Sequence, residues 1–238
     1  MDAEEKQRLE HIANNSLYDK GANAATIHYE FNVFRRFVVP GSILELGPAE
    51  GLMTGHLVDL GQEVICVDGS EFFSEKLKEK YPSIEVITSL FENFETDRKF
   101  QNIVLGHVLE HVDDPVEILK LARNWLAPDG ILFAAVPNAR SLHRQAGVIM
   151  GLLGAENELN DLDRHHGHRR VFDPESFRQA FLQSGYNIDY FGGYWLKPVS
   201  NSQIEAHWSP EMLEAFMKLG ERYPDISGEI YVVGSLKK

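Results

Sequence analysis

The side chains best suited to chemistry are acidic ones around a turn of small residues in the stretch 42–52, SILELGPAEGL. Its apolar residues predict a buried strand that carries Glu45, and the leucines after the turn predict a helix. Between them, Gly47, Ala49 and Gly51 allow a sharp turn and leave room for a ligand to approach the backbone. A strand, a small-residue turn and a helix form nucleotide sites at the carboxyl edge of open α/β sheets.

A second acidic residue, Asp68, follows the next predicted strand, residues 63–67 (EVICV). It stands about 20 residues after Gly47, the offset at which an acidic group meets ribose hydroxyls at the tip of the neighbouring strand. A carboxylate can accept hydrogen bonds from both the 2′- and the 3′-hydroxyl. The spacing therefore predicts a ribose-containing ligand, and the alternative is an aspartate that only begins a helix.

Two motifs narrow the choice of ligand. A dinucleotide fold needs G-x-G-x-x-G, but here Ala49 and Leu52 stand at the second and third glycine positions. The pattern E-x-G-x-A-x-G instead resembles the first motif of class I S-adenosylmethionine-dependent methyltransferases, [DE]-x-G-x-G-x-G. Further along, residues 100–138 contain a predicted strand, the motif LEHxxDP and a predicted helix. The motif LxPxG, another predicted strand and the dipeptide PN follow. That order resembles the ubiquinone-type O-methyltransferase branch, whose members act on small molecules.

The resemblance covers about residues 40–236 and implies an architecture. The expected fold is α/β, with a Rossmann-like, seven-stranded, mostly parallel sheet, helices on both faces and an antiparallel last strand. We expect a single domain, residues 1–238. Its expected parts are an N-terminal helical cap (1–39), a cofactor-binding core (40–138), a substrate-lid insertion (139–172) and the C-terminal part of the sheet (173–238).

The same resemblance implies that the cofactor is S-adenosyl-L-methionine and that S-adenosyl-L-homocysteine is its product. The expected cofactor-binding residues are Glu45, Gly47, Pro48, Ala49, Gly51, Asp68, Gly69, Ser89, Leu90 and His107. Ser89 is the closest positional match for the group that holds the adenine amino group, with Glu92 as a second candidate. His107 stands at the tip of the fourth predicted strand, beside the sulfonium end. Glu110 and His111 are expected to have a scaffold role at a helix start.

Composition argues against several other classes of protein. The net charge of −13 does not suit a broad nucleic-acid-binding surface. Cys66 is the single cysteine, so we expect a core residue in a reducing compartment. No apolar run approaches the ~20 residues of a membrane span, and the acidic N-terminus does not resemble a signal peptide. We therefore expect a cytoplasmic protein with no membrane partner, either a monomer or a homodimer.

The densest group of reactive side chains lies in residues 161–170, DLDRHHGHRR. Three interpretations remain open: a general base with anion-holding arginines, a divalent metal site, or a surface loop with its own salt bridges. Relatives have a matching H…F-x-P-x-x-L stretch beside the active site, and His168 best matches its histidine. We predict that this segment supplies a general base, and we predict no metal ligand. A divalent metal remains the alternative.

Methyl transfer from a sulfonium is an in-line displacement for which a protein mainly supplies alignment. A hydroxyl acceptor also needs a base, and histidine has a suitable pKa. The chain is therefore predicted to O-methylate a small-molecule acceptor, a metabolite or natural product. N- or carboxyl methylation, a nicotinamide oxidoreductase and an inactive cofactor-binding protein are the alternatives. The catalytic candidates are His168, His166 and His107. The substrate-binding candidates are Tyr18, Tyr29, Asn138, Arg140, His165 and Arg169.

Overall fold

The computed structural model describes residues 3–237, in which helices and strands alternate. The strands are β1 (Ile43–Leu46), β2 (Val64–Asp68), β3 (Glu85–Thr88), β4 (Phe100–Gly106), β5 (Leu126–Pro137), β6 (Tyr186–Tyr194) and β7 (Glu229–Leu236). The α-helices are α1 (Ala3–Asn14), α2 (Gly21–Phe34), α3 (Leu52–Asp59), α4 (Glu71–Lys80), α5 (Pro115–Trp125), α6 (Leu142–Ile149), α7 (Asp161–His165), α8 (Pro174–Gln183), α9 (Asn201–His207) and α10 (Pro210–Gly220).

The strands form one seven-stranded sheet in the order β3-β2-β1-β4-β5-β7-β6. The first five strands of that order are parallel, whereas β7 runs antiparallel to β5 and β6. The predicted fold is confirmed, including the antiparallel last strand. The strand order reverses between β1 and β4, and such a reversal opens a crevice beyond the carboxyl ends of the two strands.

Helices cover both faces of the sheet, so the central strands are buried on both sides. All four residues of β1 are buried, as expected for a central parallel strand. On one face α5 and α8 pack with Leu44 and Leu46, and on the other α2, α3 and α10 pack with Ile43. No helix within residues 3–237 is long and apolar enough to cross a membrane.

Local signals define the ends of several helices. Asp114 accepts hydrogen bonds from the backbone N–H groups of Val116 and Glu117, and Pro115 occupies the first turn of α5. Asp173 caps α8 in the same way through the N–H of Ser176. An aspartate followed by proline, at Asp114-Pro115 and Asp173-Pro174, predicts a helix start, and these caps confirm both predictions.

Two helix predictions needed correction. The apolar run 146–153 predicts a helix, but α6 begins earlier, at Leu142, and ends at Ile149. Gly151 has a left-handed backbone (φ +73°), a conformation in which helices commonly terminate. The sequence also predicts a helix over residues 210–223, but α10 ends at Gly220. The helix α9, which precedes it, is not among the predicted elements.

Candidate active site

A cavity of about 930 Å³ lies at the carboxyl edge of the sheet, where the strand order reverses. Its floor includes the ends of β1, β2 and β4. Its walls come from α1, α2, the insertion 139–172 and the segment that follows β6. Cavities of this size and position are the usual ligand sites of α/β folds.

The turn after β1 closes tightly on one side of this cavity. Gly47 has φ +69°, and a Cβ atom there would lie 2.8 Å from Cγ2 of Val108. Ala49 adopts φ +47°, which costs a residue with a side chain about 1–2 kcal/mol. Gly51 caps α3 with φ +75°, but a Cβ atom there would meet Leu77 of α4. Gly51 therefore shapes the turn and does not line the cavity, contrary to its predicted contact with the cofactor.

Asp68 ends β2 beside this turn and is 7% exposed. Its Oδ1 accepts from the N–H of Ser70 at 2.8 Å, and its Oδ2 from the N–H of Ala49 at 3.3 Å. Burial raises the pKa of Asp68 to about 6 despite these hydrogen bonds. Each oxygen keeps a second lone pair, so the carboxylate can still accept two ribose hydroxyls. The arrangement fits the ribose of S-adenosylmethionine.

The remaining predicted cofactor residues differ in whether they line the cavity. Glu45 lines the floor, where its Oε2 accepts from Thr54 Oγ1 at 2.6 Å and from Cys66 Sγ at 3.3 Å. Ser89 does not line the cavity, and its hydroxyl donates to the carbonyl of Leu90, which does line it. Glu92, the second candidate for the adenine, does line it. The predicted cofactor residues that line the cavity are Glu45, Gly47, Pro48, Ala49, Asp68, Gly69, Leu90 and His107.

His107 lies among three carboxyl groups at the tip of β4. Its Nε2 is 3.6 Å from Glu30, and its Nδ1 is 3.4 Å from Glu110 and 3.9 Å from Glu229. Burial opposes a charge on the ring, but these carboxylates outweigh burial and raise the pKa of His107 to about 10. The ring is therefore a cation at neutral pH and holds no free site for a proton. The catalytic role predicted for His107 does not fit a general base.

The insertion is tied together around Asp163, which is buried. Asn160 and Asp163 form a capping box at the start of α7. Arg144 of α6 donates to Asp163 Oδ2 at 3.0 Å and to the carbonyls of Glu156 and Glu158. On its other side, Asp163 Oδ1 lies 3.4 Å from Nδ1 of His168. The insertion thus holds the His168 ring against the cavity.

Other histidines surround His168. His166 is 6% exposed and stacks on Tyr18 with 5.0 Å between ring centroids. Burial lowers the pKa of His166 to about 4 and that of His111 to about 3, so both are neutral. Possible ligand atoms of Glu110, His111 and His168 lie within 4.8 Å of one another, and such a set could bind a divalent cation. The surface-loop interpretation is wrong for His166 and His168, which line the cavity.

Comparison with known proteins agrees with this geometry. Residues 19–190 match the family described as "Methyltransferase domain". The chain belongs to this methyltransferase family. A ubiquinone biosynthesis O-methyltransferase of Agrobacterium fabrum is 26% identical over 223 residues, which cover 90% of this chain and 82% of that protein. The mitochondrial protein of the same name from Dictyostelium discoideum is 28% identical over 67% of this chain and 54% of its own length.

Solved structures show that the methyltransferase shares its fold with more distant proteins. The CcbJ methyltransferase from Streptomyces caelestis superposes with a TM-score of 0.62 at 16% identity, covering 89% of this chain and 95% of that one. The glycopeptide N-methyltransferase MtfA complexed with S-adenosylmethionine has a TM-score of 0.60 at 15% identity, covering 88% and 87%. With the family match, the chain is a methyltransferase whose cofactor is S-adenosylmethionine.

Three predicted substrate residues of the methyltransferase lie outside the cavity. The Tyr29 hydroxyl donates to Glu221, on the side of α2 that faces away from the cavity. Arg140 forms an exposed ion pair with Glu175, and His165 bonds the Asn15 carbonyl at the surface. Helical periodicity explains Tyr29, because consecutive residues of α2 point about 100° apart and its neighbour Glu30 points inward.

Three other predicted substrate residues of the methyltransferase do line the cavity: Tyr18, Asn138 and Arg169. Asn138 also has a structural role, since its Nδ2 donates to the carbonyls of Ser227 and Asp225. Sequence reasoning missed Glu30, Trp195, Lys197 and Glu229, which all line the cavity. No local motif marks these four, although a glutamate among apolar helix residues is a signal that could have identified Glu30.

Proposed function

We propose that this methyltransferase transfers the methyl group to a hydroxyl group of a small molecule, with His168 as the base. The observation that carries the proposal is the pair formed by His168 and Asp163. The His168 ring lines the same cavity as the Gly47 turn and Asp68, and its Nδ1 lies 3.4 Å from the Asp163 carboxylate. A base oriented by a second group is the usual arrangement for activating a hydroxyl.

Two groups of this chain, His168 and Asp163, can handle the proton that the acceptor hydroxyl loses. S-adenosylmethionine held at the Gly47 turn and Asp68 would supply the activated methyl group and depart as a neutral thioether that keeps the bonding electron pair. His168 would take the proton of the acceptor hydroxyl as its oxygen bonds the methyl carbon. Asp163 then faces the protonated ring. Burial opposes the charge on Asp163, but hydrogen bonds and the Arg144 guanidinium hold its pKa at about 2, so it remains an anion. A fixed anion at that position stabilises the imidazolium that forms.

Two further facts support a small hydroxylated acceptor. The curated relatives carry the name ubiquinone biosynthesis O-methyltransferase. A volume of about 930 Å³ is large enough for the cofactor and a small acceptor together. The alternative use of the same histidine is as a ligand, with Glu110 and His111, for a divalent cation.

The test measures methyl transfer from labelled S-adenosylmethionine to a panel of phenols and catechols. We expect His168→Ala to lower turnover by ~10²–10⁴-fold while its affinity for S-adenosylhomocysteine stays unchanged. His166→Ala should lose less, since a group with a pKa of about 4 is a weak base at neutral pH. The matched control is His165→Ala, because His165 is exposed and lies outside the cavity.

Turnover by His168→Ala at the wild-type rate would show that His168 is not the base. Loss of wild-type activity on chelation, restored by a divalent ion, would favour the metal role for this histidine.

Amine methylation is the second candidate function. It is favoured by Oε1 of Glu30 and Oε2 of Glu229, which are buried without hydrogen-bond partners and could accept from an amine. Identification of the methylated atom by mass spectrometry and NMR separates the two functions.

A further inference from the structure

In the part of the chain that the structure describes, one lysine in the wall of the cavity forms no ion pair or hydrogen bond with its side chain, although the Glu229 carboxylate acts on it from a longer distance. Lys197 follows β6, is 8% exposed and lines the cavity. Within residues 3–237 its ammonium group makes no hydrogen bond or ion pair, and it lies 4.7 Å from the centre of the Trp195 ring. An ammonium removed from water without a partner is costly. Its position therefore indicates that a ligand supplies the missing partner.

The other basic side chains of the cavity are already engaged. The arginines that line it each have an acidic partner: Arg8 with Glu5, Arg144 with Asp163, and Arg169 with Glu5 and Asp113. His107 lies among its three carboxyl groups. Among the described lysine and arginine side chains of the cavity, Lys197 is thus the cation left for an incoming anion.

A second hydrogen-bond donor stands next to this lysine. The indole Nε1 of Trp195 is buried without a partner, although the side chain lines the cavity. The backbone holds both residues in place: the Trp195 N–H donates to the Met217 carbonyl at 3.0 Å, and the Lys197 carbonyl accepts from the His143 N–H at 3.1 Å. The left-handed φ of Trp195, +65°, is maintained by this packing. Two donors without hydrogen-bond partners among the described residues thus lie on one backbone-held segment of the cavity wall.

We infer that the methyl acceptor carries a carboxylate, which Lys197 binds with the Trp195 indole N–H as a second donor. The inference rests on the proposed function, because it requires the acceptor to occupy this cavity. One ammonium matches the single charge of a carboxylate. A phosphate dianion would place a second, uncompensated negative charge near the buried carboxyl group of Glu229.

The charge state of the lysine is compatible with this role. Burial lowers the pKa of Lys197 to about 8, partly offset by the Glu229 carboxylate, so most of the side chain is protonated at neutral pH. A bound carboxylate would raise the pKa again, because an opposite charge favours the protonated form.

The experiment is isothermal titration of the enzyme loaded with S-adenosylhomocysteine. The probes are hydroxybenzoic, hydroxyphenylacetic and hydroxyphenylpropionic acids, their carboxamides, and 4-hydroxyphenyl phosphate. The series varies the distance between hydroxyl and carboxylate. We expect at least one acid to bind about 10–100-fold more tightly than its amide, the usual effect of a charged hydrogen-bond pair, and more tightly than the phosphate.

Lys197→Gln and Lys197→Met should both abolish this preference while S-adenosylhomocysteine binds as before. Retained cofactor binding shows that each variant is folded, and methionine is close in size to the buried lysine stem. The control is Lys78→Gln, the same change at an exposed lysine outside the cavity, which should leave the preference intact.

Three results would overturn the inference: no acid binds better than its amide, the preference survives both Lys197 variants, or the phosphate binds most tightly. These results leave the proposed function standing as long as His168→Ala loses turnover. Wild-type turnover by His168→Ala would instead contradict the proposed base without affecting the preference for acids.

Discussion

His107 shows how far the chemistry of one residue depends on its neighbours. A histidine in water has a pKa of about 6.5 and is a good base at neutral pH. Here Glu30, Glu110 and Glu229 surround the ring and raise its pKa to about 10 in spite of burial. A cation at this position compensates buried negative charge in the cavity. We therefore expect His107 to stabilise the fold and not to take the acceptor proton.

This charge state predicts a pH-dependent contribution to stability. The folded protein binds the His107 proton more tightly than the unfolded chain, so the stabilisation is complete below about pH 6.5 and is lost as the pH approaches 10. His107→Gln should therefore lower the free energy of unfolding most at pH 6 and least at pH 10. Urea unfolding at pH 6, 8 and 10 measures this, with the exposed His207→Gln as control. A loss that is the same at every pH would contradict the assignment.

A second prediction at the scale of single residues concerns Asp68 and cofactor binding. Asp68→Ala should weaken the binding of S-adenosylhomocysteine by about 1–3 kcal/mol, because the ribose hydroxyls lose their acceptors. Calorimetry on a variant shown to be folded by circular dichroism measures the change. Asp59→Ala, which alters an exposed aspartate of α3, is the control and should bind normally. Unchanged affinity in Asp68→Ala would remove the ribose assignment.

At the scale of elements, the insertion is ordered by one buried arginine. Arg144 joins α6 to Asp163 of α7 and to the carbonyls of Glu156 and Glu158 between them. The same aspartate faces His168. The position of the proposed base therefore depends on a contact between two short helices of the insertion.

Arg144→Ala should destabilise the protein by about 3–5 kcal/mol, since it leaves Asp163 as a buried charge without its partner. It should also reduce turnover more than cofactor affinity, because the cofactor residues lie on the sheet. Chemical unfolding and cofactor titration measure the two effects. Arg140→Ala breaks an exposed ion pair of the same region and should cost only about 0–1 kcal/mol. Equal losses for the two variants would contradict the role of Arg144.

At the scale of the whole molecule, the reversal of strand order places the Gly47 turn, Asp68 and His107 at one edge of the sheet. The insertion, α1, α2 and the segment after β6 complete the cavity above that edge. The cavity is lined by segments from most of the chain, so we expect a bound ligand to join them. Its binding is therefore coupled to the stability of the whole fold.

S-Adenosylhomocysteine at about 100 times its Kd should stabilise the folded state by about 2.7 kcal/mol. For a chain of this size, that corresponds to a rise in Tm of roughly 5–10 °C. NAD at the same concentration should give no shift, because the turn lacks the second and third glycines of a dinucleotide site. Thermal unfolding with each ligand makes the comparison, and equal shifts would reinstate the oxidoreductase alternative.

Local patterns in the sequence predicted the first strands, the Gly47 turn and the place of Asp68, and the family resemblance implied the complete sheet. Strands, caps and glycine turns depend on residues within a few positions of one another, so their signals are visible in a short stretch. Parallel strands present their carboxyl ends at one edge, which is why the predicted cofactor residues lie near each other. Gly51 and Ser89 do not line the cavity, but each is next in sequence to a residue that does.

The sequence by itself thus determined the fold, the family and the cofactor, and it predicted eight cofactor residues that line the cavity. Tertiary structure alone decided which side of α2 faces the cavity, so that Glu30 lines it and Tyr29 does not. It also decided that three carboxyl groups surround His107, that Asp163 faces His168, and that the Lys197 side chain forms no ion pair with any described residue. The physical reason is that burial and charge coupling depend on side chains distant in sequence. No local pattern records which of them will meet.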